Sequence, residues 1–121
     1  MAGNKAFDLD LAYGLSRESA FLDILNADKV EVKSDRRAAT TGNFFVEIES
    51  RGKASGIMTT EAQWWVQEIA ELGVFMMFPT EWFKRLVLTT MEKRGTIRGG
   101  DGNTSVGVLV KVTDCVKEIK E

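Results

Sequence analysis

The segment FFVEIES, residues 44–50, sets Glu47 and Glu49 two residues apart in a run whose other members are mostly apolar. Side chains two apart in a strand face the same way, so both carboxylates are expected on one face. Like charges on one face repel unless that face meets water, a cation or a metal ion. The run DKVEVKSD (28–35) alternates in the same manner. Val30 and Val32 fall on one side, and Glu31, Lys33 and Asp35 on the other. Between the two runs, AATTGN (38–43) has turn chemistry. The three pieces together predict an antiparallel hairpin with a long polar loop and an acidic face directed away from the core.

The remaining segments supply alternating helix and strand signals. GLSRESAFLDILN (14–26) reads as a helix capped by Ser16, with Leu15, Phe21, Leu22 and Leu25 at roughly helical spacing. FDLDLAYG (7–14) is ambiguous, and 5–13 is compatible with a further strand. RGKASGI (51–57) is a glycine-containing loop. TTEAQWWVQEIAEL (59–72) has a threonine cap and acids in its first turn, which predicts a helix. VFMMF (74–78) is a short apolar run and reads as a buried strand. Pro79 opens and Gly95 closes a helix over 79–95. IRGGDGNTS (97–105) reads as a loop, VGVLVKV (106–112) as a strand, and TDCVKEIKE (113–121) as a short terminal helix holding Cys115 in a structural role. The order α-β-β-α-β-α-β-α predicts an α/β fold with a central mixed β-sheet flanked by helices, in a single domain spanning 1–121.

Composition narrows the chemistry. The chain has no histidine, which removes histidine general bases and histidine metal ligands. Its single cysteine removes an internal disulfide and a cysteine zinc cluster. A lone cysteine and the absence of a signal-peptide core in the first ten residues predict an intracellular, cytoplasmic setting. No apolar run reaches membrane-spanning length. Net charge is −2, so any contact with nucleic acid must come from local clusters. Acid–base or metal chemistry is left to Asp, Glu, Lys and Tyr, and carboxylates favour hard cations such as Mg²⁺ or Mn²⁺.

One constellation fits that chemistry. Asp35, Glu47 and Glu49 fall on the outward face of the proposed hairpin with Lys33, and Glu18 sits on the preceding helix. The pattern of a helix Glu, an Asp after a first strand and Glu-x-Glu on the next resembles the PD-(D/E)XK nuclease superfamily, which includes restriction endonucleases, Holliday-junction resolvases and phage nucleases. TGNFFVEIESRGKASGIMTTEAQWW (41–65) is similar to the phage-type members, in which a Thr-Gly-Asn turn leads into the acidic strand and Ser-Gly-Ile into the next helix. The resemblance implies a restriction-endonuclease-like core and a Mg²⁺- or Mn²⁺-dependent endodeoxyribonuclease. Asp35 and Glu47 would be metal ligands, with help from Glu18, and Gln63 would be a polar residue near the site. The superfamily's usual lysine is here Glu49, and Lys33 is a candidate to supply the missing positive charge. A compressed set, Asp28, Glu31 and Lys33, is too short to cross between two strands.

Basic and polar residues flank the acids. Arg36, Arg37, Asn43, Arg51 and Lys53 are candidate contacts to nucleic-acid phosphates. Arg98, in the 97–105 loop, is a further one. DNA is the expected substrate, with branched DNA a candidate form, and a homodimer or higher homo-oligomer is expected because so small a domain grips little duplex. Two other readings stay open. One is a non-catalytic nucleic-acid-binding or assembly protein on a nuclease-like fold. The other is an unrelated α/β domain whose strand acids only line a solvated face.

Overall fold

The chain folds into two hydrogen-bonded sheets with helices against them, and the structure, a computed structural model, describes residues 5–26 and 29–117. In chain order the elements are α1 (Lys5–Asn26), β1 (Val30–Asp35), α2 (Ala38–Thr41), β2 (Asn43–Ser50), β3 (Lys53–Ala54) and a 3₁₀ turn at Gly56–Met58. Then come β4 (Trp64–Ile69), β5 (Val74–Pro79), α3 (Thr80–Arg94), β6 (Ile97–Gly99), a second 3₁₀ turn at Asp101–Asn103, β7 (Ser105–Lys111) and α4 (Asp114–Lys117). The α/β class holds, and so does a mixed sheet: β1 runs parallel to β4, and β4 antiparallel to β5. The second sheet, β3-β2-β7-β6, is antiparallel throughout. No helix among the described residues is long and apolar enough to cross a membrane.

Two expectations fail together. β1 and β2 do not form a hairpin; they belong to different sheets. Residues 59–72 are not a helix either, because β4 occupies 64–69 and provides the partner that β1 takes. The helix signals there were a threonine cap and several good helix formers. They lose to Trp64, Trp65, Val66 and Ile69, which suit a pleated surface. Trp65, Val66, Gln67 and Ile69 are all buried. A central strand covered on both faces shows no clean alternation, which hid it.

The core forms where one face of β2 and β7 meets β4, β5 and α3. Phe44, Val46, Val108 and Val110 are buried from the second sheet, and Trp65, Ile69 and Phe78 from the first. α3 buries Phe83, Leu86, Val87 and Thr90, spaced three and four apart along one side. Phe83 stacks against Phe78 at 4.8 Å and against Trp65 at 6.2 Å between ring centroids. α3 begins and ends as expected, after Pro79 and at Gly95 with φ 74°.

α1 starts earlier than expected and absorbs 5–13, so FDLDLAYG is helix and Ser16 lies within it rather than capping it. It buries no residue. Leu11, Leu15, Leu22 and Leu25 fall on one side of it and are exposed. Glu18 sits in the middle of that stripe. Residues 118–121 of the expected terminal helix, and Asp28, lie outside the described residues.

Cys115 is fully buried in α4. Burial, with the Asp114 carboxylate beside it, pushes its thiol from 9.0 up to about 12. Between those values the unfolded chain loses the proton first, so this group lowers stability as pH rises above 9.0. The loss is at most about 1.4 kcal/mol per pH unit. Urea unfolding between pH 8 and 10.5 is expected to show this fall, and a Cys115→Ala variant to lack it. A thiol reagent at pH 8 is expected to label the protein in urea but not when folded.

Candidate functional site

The site is built on one carboxylate at the end of β1. Asp35 Oδ1 accepts the Arg37 backbone N–H at 2.8 Å, and Oδ2 accepts the Phe45 N–H at 3.1 Å. The first bond starts the turn into α2, and the second reaches β2 in the other sheet. The Asp35 carbonyl also accepts the Ala70 N–H at 3.0 Å. Asp35 is thereby tied to the start of α2, to β2 and to the turn after β4. α2 is held from the other side by Glu71, whose Oε1 accepts the Ala39 N–H and whose Oε2 accepts the Thr40 hydroxyl.

Phe45 and Glu47 lie two apart on the face of β2 opposite the core residues Phe44 and Val46. Glu47 is fixed by two hydroxyls. Ser55 donates to Oε2 at 2.9 Å and Ser105 to Oε1 at 2.7 Å. The SGI triplet accounts for the first of these contacts. Gly56, at φ 58°, passes so close to β2 that a Cβ would lie 2.3 Å from the Glu47 carbonyl oxygen. Ile57 anchors the turn by inserting into the core at 1% exposure. The triplet leads into a 3₁₀ turn and then β4, not into a helix. The TGN triplet is also structural: Gly42, at φ 74°, ends α2 and starts β2.

A hollow of about 280 Å³ opens between the sheets and is lined by Lys33, Asp35, Phe45, Glu47, Gln67 and Ser105, among others. Lys33 pairs with Glu31 at 3.2 Å and lies 5.9 Å from the Trp65 ring centroid. Gln67, only 1% exposed, accepts the Trp65 indole N–H at 2.7 Å through Oε1. An indole only donates, so the oxygen must face it, and the Gln67 NH₂ is left to donate elsewhere. Gln67 and Ser105 were missed in the sequence. Gln67 pairs with Lys33 across β1 and β4, and only the correct reading of 64–69 as a strand would have found it.

Asp35, Glu47 and Lys33 thus come together, while Glu49 and Glu18 do not join them. The β2–β7 register slips between Glu47 and Glu49, so that Glu47 faces Gly107 and Glu49 faces Val106. This bulge adds one residue and breaks the period of two. Glu49 accordingly lines a different hollow, with Ile48, Met91 and Val106. Glu18 is exposed on α1 and lines neither that hollow nor the one at Asp35. Gln63 is exposed and lies outside both as well. Of the basic and polar candidates, Arg37, Asn43 and Arg98 line a second hollow next to the first. Arg36, Arg51 and Lys53 line neither of these two; Arg51 lies in the β2–β3 turn and Lys53 begins β3.

The donor set suits a hard cation. Mg²⁺ is commonly held by one or two carboxylates, with water and phosphate oxygens completing its shell. Asp35 and Glu47 fit that pattern, each oxygen retaining a lone pair beyond its present hydrogen bond. Among the described residues no three Asp, Glu, Cys or His side chains form a ready-made cage.

Gly56→Ala is expected to destabilise the protein by roughly 2 kcal/mol or more, because backbone clash adds to positive-φ strain. Gly42→Ala, with open space around it, carries the strain alone, about 1 kcal/mol. Urea unfolding of both variants measures the difference.

Comparison of the chain with protein-family models, with curated proteins and with solved structures gives no match.

Proposed function

We propose that the protein is a metal-dependent nuclease that hydrolyses DNA phosphodiester bonds at the hollow between β1 and β2, on a restriction-endonuclease-like core. The observation that carries this reading is the meeting of Asp35, Glu47 and Lys33 in one hollow from strands in different sheets. A bound Mg²⁺ or Mn²⁺ would polarise the scissile phosphate and lower the pKa of an attacking water. Asp35 and Glu47 would hold it. Both carboxylates are fixed in place by backbone amides and hydroxyls, so no side-chain ordering is needed at the moment of binding. Lys33 would balance negative charge on the phosphate, the task for which a lysine is expected at Glu49. Gln67 would offer an amide N–H to a phosphate oxygen or to water.

Cleavage of labelled linear, flap and four-way DNA with Mg²⁺ or Mn²⁺ tests the proposal. Asp35→Asn and Glu47→Gln are each expected to reduce cleavage on the order of 100-fold or more. Lys33→Ala is expected to reduce it about tenfold. Glu49→Gln is expected to leave it unchanged, since Glu49 faces the other side of the sheet. Binding without cleavage in either metal would favour the non-catalytic alternative.

The expected homo-oligomer has its support in α1, whose leucine stripe is exposed along its length. Packing that stripe against a second copy would carry Glu18 into the same interface. Light scattering of the wild type is expected to give a dimer or larger species, and Leu15→Glu with Leu22→Glu to give a monomer. A wild-type monomer would remove this part of the proposal.

A further inference from the structure

The second hollow, about 460 Å³, meets the first at Asp35, Phe45 and Gly100, which line both. Its size is in the range of pockets that enclose a small organic ligand. Its other lining is of a different kind. Arg37 and Arg98 supply two guanidinium groups, Thr41 and Asn43 supply polar groups, and Ile97 and Leu109 an apolar wall. Asp35, at the shared edge, is its one acid.

Neither arginine is paired with a carboxylate: the ion pairs among the described residues are Lys33–Glu31 and Lys117–Asp114. Both arginines sit on fixed backbone. The Arg37 N–H is bound by Asp35, and the Arg37 carbonyl accepts the N–H groups of Thr40 and Thr41. Arg98 is in β6, paired with Val106 of β7. A third arginine, Arg94, supports the same wall by donating to the Leu109 carbonyl at 2.8 Å and to Asn43 Oδ1 at 3.4 Å. The floor is shaped for Phe45. A Cβ on Gly99 or Gly107 would meet its ring at 2.8 or 2.5 Å, so these two glycines let the ring lie flat between the hollows.

Two unpaired guanidiniums beside an apolar wall match a phosphate linked to a sugar and base. We infer that this hollow is a nucleotide subsite, holding the residue of a single DNA strand next to the phosphate at Asp35 and Glu47. The adjacent phosphate lies on Arg37 and Arg98, and the sugar and base lie against Phe45, Ile97 and Leu109. The position of this subsite relative to the acids rests on the nuclease reading, whereas its affinity for a strand does not.

The test is fluorescence anisotropy of a labelled single-stranded oligonucleotide in EDTA, where no cleavage occurs, across a range of salt. Arg37→Ala and Arg98→Ala are each expected to weaken binding about tenfold and to reduce the salt slope by about one. Arg98→Lys is expected to retain part of the affinity. Arg85→Ala, on the exposed side of α3, is expected to change nothing. Circular dichroism melting of each variant confirms that it folds. Wild-type affinity and slope in folded Arg98→Ala would overturn the subsite, as would absence of single-strand binding by the wild type. Cleavage measured in parallel separates the two proposals. Binding that depends on Arg98 without any cleavage upholds the subsite and defeats the nuclease. Cleavage that depends on Asp35, with Arg98→Ala binding normally, does the reverse.

Discussion

The seam between the two sheets is closed by the carboxylate of Asp35. One of its oxygens holds the turn after β1 and the other holds β2, so one side chain links the end of β1 to the first strand of the second sheet, beside the shared core. Hydrogen bonds to a charged acceptor are among the stronger ones, about 1.5–3 kcal/mol each. The consequence is geometric as much as energetic. Phe45 is the residue bound, and Glu47 is two residues further along the same face. Fixing Phe45 to Asp35 therefore fixes the relation between the two acids. A residue that joins two sheets and also presents lone pairs to a hollow has both a structural and a chemical reason to be there.

Glu47 shows the same doubling. Its two hydroxyl donors come from opposite directions, Ser55 from the turn after β3 and Ser105 from the start of β7. Ser105 is itself covered by the loop that precedes β7: a Cβ on Gly100 would approach its hydroxyl oxygen to 2.9 Å. The loop that follows β6, the strand carrying Arg98, is thus packed against the residue that orients the acid in the first hollow. The two hollows share a wall through Phe45 and a support through Ser105, so they form parts of one surface.

The sequence made some of this legible and concealed the rest for identifiable reasons. Asp35, Glu47 and Lys33 were found because period two holds through β1 and through the first half of β2. It fails at Ile48, where the bulge turns Glu49 to the other face; nothing in EIES marks the extra residue. β4 was concealed because a strand buried on both faces has no polar rhythm, and its loss took Gln67 with it. The α/β class survived that error, since the strand signals of β1, β2, β5 and β7 and the caps of α3 are local. The pairing of β1 did not survive, because a parallel partner 34 residues away leaves no local trace. Ser55 and Gly56 were visible as a motif, but their purpose needed the close approach to the Glu47 backbone.

Glu18 is the remaining acid, and its position on α1 constrains how it can act. It lies between Leu15 and Leu22 on the stripe that includes Leu11 and Leu25. A carboxylate in the centre of an apolar stripe is costly to bury unless it meets a donor or a cation. Whatever surface receives those leucines must therefore also receive Glu18, and must offer it such a partner. A donor or a cation on a second copy would meet that requirement; a plain apolar face would not. The stripe and its acid consequently select against arbitrary partners, and they tie the docking of α1 to the charge of the place where it docks.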